Sequence, residues 1–571
     1  MDLEFEWAIL AAMRTLLTTL HSKYIHASLA LPCLAAYCED QCGEILIREY
    51  SVNDPKEIIL AQIFACDADV ICFSVYLWNR VATLEMVDCL KRINPEYKIV
   101  LGGPEVSFEA DDFFQHHPVD ALICGEGEAP LRALLSTWQQ GEAPTSFAGI
   151  RLPEWPELDG LSLLDSLDQI PSPFAAGLVD LTRGLVYYES SRGCPYTCSF
   201  CMSALDERVR SFSLERIKSD LKLLMDSRVA KIKFVDRTFN YNQQRSRDIF
   251  RYILQHNHSS HFHFEIGAHL LDQATLELLQ QVPEDMFQFE IGVQSTLPET
   301  LQNVGRKASL QRLAENVQFL RNKTNIHLHL DLIAGLPGED YQQFLKSVDW
   351  VLALNAHHLQ IEPVKLLPGA PLRLQAQSWG IEYDPTPPYT ILKSKQLGFS
   401  DLERLRGIGR LLDLLVNSGR FSFLLQKLTA DSNRVSQLLE NLDSYWRKED
   451  LYTRSLSLQD QYLAFDGYLQ ERYRGGELAG YRELLGRDYA HHHRVVAGSA
   501  PDFFNTELSE QESTAARARV KQELERLNRS GKVQYFAAVF ESLQDYPGRT
   551  VLIFLYPAKN SVGLQVKELE L

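Results

Sequence analysis

The stretch ESSRGCPYTCSFCMSAL, residues 189–205, decides the fold of this 571-residue chain. It places Cys194, Cys198 and Cys201 on one short loop, and no cysteine follows them in the sequence. A structural zinc site requires four ligands, so zinc would need a further protein ligand from elsewhere in the chain. An iron–sulfur cluster held by three thiolates instead keeps one iron open for a small molecule. The residues by themselves leave both metals open.

The cysteine stretch begins a series of six strand-and-helix repeats. The strand-like segments are VYYESSRG, KIKFVDRT, HFEIGA, MFQFEIGVQS, NIHLHLDLIAGLPG and HLQIEPVKLLPG. Helix-like segments such as LERIKSDLKLLMDS, with apolar residues at helical spacing, lie between them. Six repeats over residues 184–374 predict a partial (β/α)6 barrel, in which the chemistry takes place at the carboxyl ends of the strands.

Residues 14–145 show another alternation of strands and helices, with about five strand-like segments. This pattern predicts a doubly wound, flavodoxin-like parallel sheet, that is, a Rossmann-like α/β domain. Such sheets bind ligands beyond the carboxyl ends of their strands. Gly102, Gly103, Gly125 and Gly127 fall at those ends, where glycine serves either a close approach to a ligand or a tight turn. No GxGxxG follows the first strand, which argues against a dinucleotide site.

Three further segments complete the predicted organisation. Residues 1–13 form an N-terminal extension, and residues 146–183, with several prolines, form an irregular linker. Residues 375–571 form a mostly helical α+β accessory domain, in which VQYFAAVFES and RTVLIFLYP are strand-like. Within that domain Ser509 and Glu512 have the spacing of a capping box, which predicts the start of a helix.

Composition disfavours several classes of function. The net charge of −18 argues against a general affinity for nucleic acid, which requires cationic surface. No apolar run reaches the roughly 18 residues of a membrane-spanning helix, so no membrane association is expected. Ten cysteines in so long a chain do not form a disulfide framework, and they indicate a reducing cytoplasm.

The run CPYTCSFC resembles the CxxxCxΦC motif of radical SAM enzymes. The resemblance implies that Cys194, Cys198 and Cys201 hold a 4Fe-4S cluster whose open iron binds S-adenosylmethionine (SAM). Electron transfer then cleaves SAM to a 5′-deoxyadenosyl radical. In that family the aromatic residue before the third cysteine, here Phe200, lies beside the adenine.

Later motifs resemble the branch of this family that includes oxygen-independent coproporphyrinogen oxidase and the methylthiotransferases. These motifs are EIGVQS, VGRKAS and DLIAGLPGED, and they follow or end strand-like segments. A guanidinium such as that of Arg306 suits the planar carboxylate of SAM. The SAM-binding residues implied by the resemblance are Phe200, Asp236, Glu265, Glu290, Gln294, Ser295, Arg306, Asp331 and Gly335.

Three of these acidic residues have an interpretation from the sequence itself. Glu265 and Glu290 lie in otherwise apolar strands, where a carboxylate is costly unless it is paired or functional. Asp236 follows the second barrel strand, and a structural salt bridge with Arg237 is the alternative to a SAM contact.

A five-stranded α/β domain before a radical SAM barrel is the layout of the cobalamin-binding radical SAM group. The segments LHSKYIHASLALPCLAAY, FSVYLWN, LGGPEVS and GEGEA resemble its N-terminal motifs. The chain lacks the DxHxxG motif that supplies a histidine to cobalt, so the resemblance implies cobalamin bound without that histidine. The candidate cobalamin residues are Ser74, Tyr76, Trp78, Asn79, Gly102, Gly103, Pro104, Gly125, Glu126 and Gly127.

The resemblance implies an enzyme of a subgroup with an uncharacterised C-terminal domain. Its expected activity is cobalamin-dependent methyl transfer to an unreactive carbon of an unknown substrate, with a reductase or a flavodoxin or ferredoxin as electron donor. The alternatives are radical rearrangement or cyclisation, RNA modification, and a sensor of cluster or cobalamin without turnover. The full set of SAM motifs favours an enzyme over a sensor, and the charge of −18 disfavours RNA. No catalytic residue is assigned.

Overall fold

The computed structural model describes residues 13–38, 42–108, 113–144, 147–157, 160–206, 208–431, 434–526, 533–556 and 566–571. The chain divides into two compact units. The first runs through Ser347 and includes Leu354–His357 and Glu362–Leu402, and the second comprises Val348–Ala353, His358–Ile361 and Glu403–Leu571. The predicted extension 1–13 lies outside the described residues, apart from Met13.

The first sheet of unit one is doubly wound, as the sequence predicts. Its strands are β1 (Arg14–His21), β2 (Glu44–Ser51), β3 (Val70–Ser74), β4 (Lys98–Gly102), β5 (Ala121–Ile123) and β6 (Ile150–Arg151). Their order is β2-β1-β3-β4-β5-β6, and the first five are parallel. The order of the strands reverses between β1 and β3, and this switch point is where such sheets bind ligands.

Helices cover both faces of this sheet. They are α1 (Ala30–Cys38), α2 (Lys56–Phe64), α3 (Arg80–Ile93), α4 (Pro104–Ser107), α5 (Phe113–His116) and α6 (Glu128–Gln139). Successive residues of β1 point to opposite faces, so Leu16 joins one apolar cluster and Leu17 the other. Ile150–Arg151, within the predicted linker, pairs antiparallel with β5 and covers the edge of the sheet.

The second sheet carries the predicted partial barrel. The strands that follow in the chain are β7 (Leu185–Tyr188), β8 (Ser191–Arg192), β9 (Arg210–Ser211), β10 (Lys231–Phe234), β11 (His261–Glu265), β12 (Phe287–Gln294), β13 (His327–Ala334) and β14 (His358–Pro363). Six of them form one sheet in the order β7-β10-β11-β12-β13-β14. The short strands β8 and β9 form a separate antiparallel ribbon around the cysteine loop.

The barrel helices lie between the strands, and most of them begin at side-chain caps. They are α7 (Leu214–Asp226), α8 (Gln243–His256), α9 (Gln273–Leu279), α10 (Pro298–Asn303), α11 (Leu310–Lys323) and α12 (Tyr341–Leu352). Ser213, Asn242, Asp272 and Ser309 each accept a hydrogen bond from a backbone N–H of the first turn, which stabilises the helix start. After β14 come α13 (Pro371–Leu374), α14 (Ala376–Trp379), β15 (Glu382–Tyr383) and β16 (Ile391–Lys393).

The barrel strands place apolar and polar side chains on opposite faces. In β12, Phe287, Phe289, Ile291 and Val293 are buried, whereas the residues that alternate with them are only half-buried. Because side chains alternate across a strand, the apolar row packs outward and the polar row faces the barrel lumen. The lumen is therefore polar.

The second unit is mostly helical, as predicted. Its elements are α15 (Phe399–Leu412), α16 (Ser422–Asp431), α17 (Val435–Lys448), α18 (Leu458–Arg472), α19 (Gly475–His492), α20 (Glu510–Arg526), β17 (Gln534–Phe540), β18 (Thr550–Tyr556) and β19 (Lys567–Glu570). Reciprocal hydrogen bonds between Ser509 and Glu512 form the predicted capping box of α20. The antiparallel sheet β17-β18-β19 includes a third strand that the sequence analysis missed. No helix among the described residues is long and apolar enough to cross a membrane.

Candidate cofactor sites

The cysteine loop is closed at its base by the β8–β9 ribbon. Gly193 has φ +87°, and a Cβ at this position would lie 2.2 Å from the carbonyl oxygen of Arg208, so only glycine fits. The next residue, Cys194, donates its backbone N–H to the carbonyl of Asp206 over 3.1 Å. The backbone at the start of the cysteine loop is therefore held against the segment that contains Asp206 and Arg208.

The three thiols have different surroundings. Cys194 and Cys198 are buried and Cys201 is half-buried. The Cys194 sulfur lies 3.6 Å from the Thr238 hydroxyl. Burial raises the pKa of the Cys198 thiol, and the guanidinium of Arg306, 3.9 Å away, counteracts this rise. Such a cation stabilises a thiolate ligand.

The described residues contain no group of three His, Cys, Asp or Glu side chains gathered closely enough to hold one metal ion. In an iron–sulfur cluster each thiolate binds a different iron, so its ligands stand farther apart than those of a single ion. The donor set of three thiols on one loop fits the predicted cluster.

Arg306 and Gln294 form a strained polar corner beside the cysteine loop. Arg306 Nη2 donates to the carbonyl of Gly292 over 2.9 Å, and its guanidinium lies over the ring of Tyr196. Gln294 has φ +71° at a register shift of β12 against β13. Its side chain lies over Gly292, where a Cβ would come within 2.1 Å of the Gln294 amide nitrogen. Strain of this kind is characteristic of ligand sites.

This corner contains buried polar atoms that have no hydrogen-bond partner among the described residues. Arg306 Nε and Gln294 Oε1 make no hydrogen bond in the described structure. A buried donor or acceptor without a partner costs free energy, which a polar ligand recovers. The corner therefore fits the polar groups of SAM, and it joins two residues that the sequence predicts from separate motifs.

Two other predicted SAM residues are fully buried and already hydrogen-bonded. Ser295 donates to Glu339 over 2.9 Å, and Ser347 donates to the same carboxylate. Asp236 accepts hydrogen bonds from Ser190 and Ser191. Both side chains stabilise the loops around the predicted site.

The alternative prediction for Asp236, a salt bridge with Arg237, is wrong. The nearest cation to its carboxylate is Arg245, at 3.9 Å, and not Arg237. Arg245 also donates to Ser190, which completes a buried network behind the cysteine loop. Neighbours in sequence point apart here because Asp236 turns inward at the end of β10 while Arg237 is exposed.

The remaining predicted SAM residues are spread around the barrel mouth and lumen. Phe200 is half-buried in the cysteine loop. Gly335, with φ +95°, packs against Ile391, and a Cβ there would lie 3.0 Å from that side chain. Their contact with SAM stays a prediction.

Three carboxyl groups line the lumen on adjacent strands. Glu290 accepts a hydrogen bond from His263 over 2.8 Å and lies 3.5 Å from Lys233, and the His263 bond is the main cause that lowers its pKa to about 2. Burial, then the charge of Glu290, raises the pKa of Glu265 to about 7 and that of Asp331 to about 8. Near neutral pH the lumen thus contains an ionised acceptor beside carboxyl groups that can donate hydrogen bonds.

A cavity of about 740 Å³ lies between the carboxyl ends of the first sheet and the barrel. Its size is in the upper part of the range of about 300–1,000 Å³ for ligand pockets. Nine of the ten predicted cobalamin residues line it, and Asn79 does not. Arg192 and Met202, which flank the cysteine loop, also line it. The cavity therefore adjoins the predicted cluster site.

Asn79 fixes the conformation of the loop between β3 and α3, at the switch point of the first sheet. It is fully buried, donates to the carbonyl of Leu20 and accepts the backbone N–H of Tyr76. Tyr76 stacks on Trp78 with ring centroids 4.6 Å apart, and Trp78 also donates to Leu20. Asn79 thereby positions an aromatic pair that faces the cavity.

Ion pairs that were not predicted from the sequence connect the two sides of the cavity. Arg192 binds Glu128 over 2.7 Å and Glu189 over 2.8 Å. Arg210 binds Glu126 through two nitrogens, at 2.7 and 2.9 Å, so the carboxylate of this predicted cobalamin residue is paired within the protein. The only signal in the sequence is an arginine directly before GCPYTC and an acidic pair in GEGEA.

Family models match three parts of the chain. Residues 16–135 match the B12 binding domain and residues 188–351 match the radical SAM superfamily. The chain contains a B12-binding domain followed by a radical SAM domain. Residues 377–539 match a protein of unknown function, DUF4080. The first two domains imply a 4Fe-4S cluster, SAM and cobalamin, and radical SAM enzymes in general need an electron donor.

Solved and curated proteins resemble this chain. The structure of the cobalamin-dependent S-adenosylmethionine radical enzyme OxsB with aqua-cobalamin bound has a TM-score of 0.60 at 16% identity, covering 90% of this chain and 84% of that one. The cobalamin-dependent radical SAM methyltransferase TokK of Streptomyces tokunonensis is 27% identical, covering 62% of this chain and 55% of TokK.

A carbapenam methyltransferase is a further relative. The 2-(S-pantetheinyl)-carbapenam-3-carboxylate methyltransferase of Streptantibioticus cattleyicolor is 25% identical over 54% of this chain and 48% of its own length. The chain thus spans about half the length of the curated relatives it matches. The OxsB likeness confirms the predicted fold class.

Proposed function

We propose that this protein is a cobalamin-dependent radical SAM methyltransferase that transfers a methyl group to an unreactive carbon. One observation carries the proposal: the cavity of the B12-binding domain is lined by Arg192 and Met202, on either side of the cysteine loop. A methyl donor and a radical source must act on the same carbon, so their sites must adjoin. The names of the TokK and carbapenam relatives support methyl transfer.

When bound, the cluster and SAM supply a carbon-centred radical and cobalamin supplies a transferable methyl group. The protein binds and orients these groups. Arg306 and the amide of Gln294 offer the buried donor and acceptor for the polar part of SAM. Burial of Cys194 and Cys198 keeps water from the cluster side, and the Tyr76–Trp78 pair offers an aromatic wall to the corrin.

The site and domain assignments of the sequence analysis belong to this proposal. The three cysteines would hold the cluster, and the candidate SAM and cobalamin residues would bind or position their cofactors. The B12-binding domain would span 14–145, the barrel 184–374 and the accessory domain 375–571. We also propose a reductase, a flavodoxin or a ferredoxin as electron donor and a location in the reducing cytoplasm.

Anaerobic reconstitution with SAM and dithionite tests the radical step. The parent protein should release 5′-deoxyadenosine, and Cys198→Ala should not. Cys89→Ala is the matched control, because Cys89 is a half-buried cysteine of α3 outside the loop. If Cys198→Ala releases as much 5′-deoxyadenosine as the parent, the cluster assignment is wrong.

Supplying cobalamin during purification tests the methyl-transfer part separately. Corrin bands should appear beside the broad iron–sulfur absorbance. After reduction and incubation with methyl-labelled SAM, mass spectrometry of the extracted corrin should show the label together with S-adenosylhomocysteine. Protein that cleaves SAM but acquires neither corrin nor label would be a radical SAM enzyme of another type.

A further inference from the structure

Arg237 is an exposed guanidinium in the cavity shared by the B12-binding domain and the barrel. It directly follows Asp236 after the end of β10, and it lines the cavity together with Tyr76 of the loop that follows β3. Within the described part of the chain its guanidinium makes no hydrogen bond, ion pair or aromatic contact. Its five donors are therefore available to a ligand.

Among the described residues no neighbouring carboxylate forms an ion pair with Arg237. Glu265, whose raised pKa the charge of Arg237 partly counteracts, lies beyond ion-pair distance. Asp236 is fully buried and accepts hydrogen bonds from Ser190 and Ser191. Arg192, the other arginine that lines the cavity, is paired with Glu128 and Glu189.

Glu126 is the remaining acidic residue among the described residues that line the cavity. It is paired with Arg210. Among the described acidic and arginine residues of the lining, Arg237 is thus the one whose charge has no partner. A partly enclosed charge of this kind attracts an anion more strongly than one in open solvent does.

Arg237 is the neighbour in sequence of a residue that contacts the cysteine loop. Thr238, the next residue, lies 3.6 Å from the sulfur of Cys194. Tyr76, which lines the same cavity, belongs to the loop between β3 and α3 in the B12-binding domain. An acceptor held by Arg237 would lie between the predicted cluster and cobalamin sites.

We propose that Arg237 binds an anionic group, a carboxylate or a phosphate, of the molecule that is methylated. A guanidinium binds either group through two parallel hydrogen bonds, which fixes orientation as well as position. The inference rests on the proposed function, and it adds to it the chemical class of the acceptor.

Chemical modification of the reconstituted protein tests the inference directly. Phenylglyoxal reacts with free guanidinium groups, and mass spectrometry quantifies the peptides that carry Arg237 and Arg228. Arg228 is an exposed arginine at the amino end of β10, so it is the matched control at the other end of the same strand. The probes are inorganic phosphate and acetate, added to protein loaded with both cobalamin and SAM.

Arg237 should be modified in the loaded protein, and phosphate or acetate should slow its modification severalfold while Arg228 stays unaffected. Phosphate should also raise the thermal midpoint of the parent and of Arg228→Gln, but not of Arg237→Gln. If neither anion protects Arg237, or if cobalamin or SAM alone abolishes its reactivity, the inference is overturned. Failure of the proposed function would appear instead as missing corrin bands or missing 5′-deoxyadenosine.

Discussion

Replacing Arg192 by methionine should destabilise the first unit and loosen the cysteine loop. The Arg192 guanidinium donates to Glu128 over 2.7 and 3.2 Å and to Glu189 over 2.8 Å. The side chain of Arg192 is 15% exposed and that of Glu128 is 5% exposed, so the pair is largely shielded from solvent. Methionine fills a similar volume but leaves the two carboxylates without their cation.

The expected cost follows from that burial. Removing one partner of a buried ion pair costs about 3–5 kcal/mol, mostly because the other charge remains buried. The free energy of unfolding, measured in urea, should fall by that amount. Because Arg192 precedes Gly193 and Cys194, the iron and sulfide retained per chain after reconstitution should fall as well.

Two further variants make the reasoning refutable. Adding Glu128→Gln and Glu189→Gln to Arg192→Met removes the stranded charges and should recover most of the lost stability. Lys222→Met, which breaks the exposed Lys222–Asp226 pair of α7, should have a much smaller effect than Arg192→Met. If Arg192→Met costs no more than Lys222→Met, or if the triple variant is less stable than the single one, the charge argument is wrong.

Three other substitutions have expected outcomes. Gly193→Ala should prevent cluster assembly, measured as bound iron, because its Cβ would collide with a carbonyl at positive φ; normal iron content would contradict this. Asn79→Ala should weaken cobalamin binding in a spectroscopic titration, although Asn79 does not line the cavity. Unchanged affinity would show that the loop between β3 and α3 keeps its conformation without the Asn79 hydrogen bonds. Burial raises the pKa of Glu339 to about 7, so the parent should lose stability as pH rises from about 4.5, the ordinary value, to 7. Glu339→Gln should remove that loss in unfolding experiments at pH 5 and 8, and an equal pH dependence would refute the assignment.

The local pattern of apolar, polar and glycine residues was sufficient to predict the strands and turns that position the candidate cofactor sites. The alternation of Phe287, Phe289, Ile291 and Val293 with polar residues marks a strand with one buried face, and the structure contains it as β12. Gly193 and Gly103 have positive φ values, and a carbonyl oxygen lies close to each of them, so only glycine fits at these two positions. Such constraints act within a few residues, so they are visible in the sequence.

Long-range pairing was not predictable in the same way. The short strand Ile150–Arg151 exists because it covers the edge of β5, and its own residues do not show this. Ser295 and Asp236 carry polar groups suited to SAM, but Glu339 and the pair Ser190 and Ser191 already bind them. A side chain's partner depends on which strand ends meet in space, and this information is spread over the whole chain.

The geometry of parallel strands explains why the missed ion pairs lie where they do. Glu126 and Glu128 follow the carboxyl end of β5, and Arg192 ends β8, the short strand that follows the carboxyl end of β7. Ligands of α/β sheets bind at this end, and in this chain the carboxyl ends of both sheets contribute to the same cavity. The pairs Arg192–Glu128 and Arg210–Glu126 therefore join the loops that frame the cofactor sites. Arg237 follows the same end of β10 and has no such partner among the described residues, so its charge remains available to a ligand.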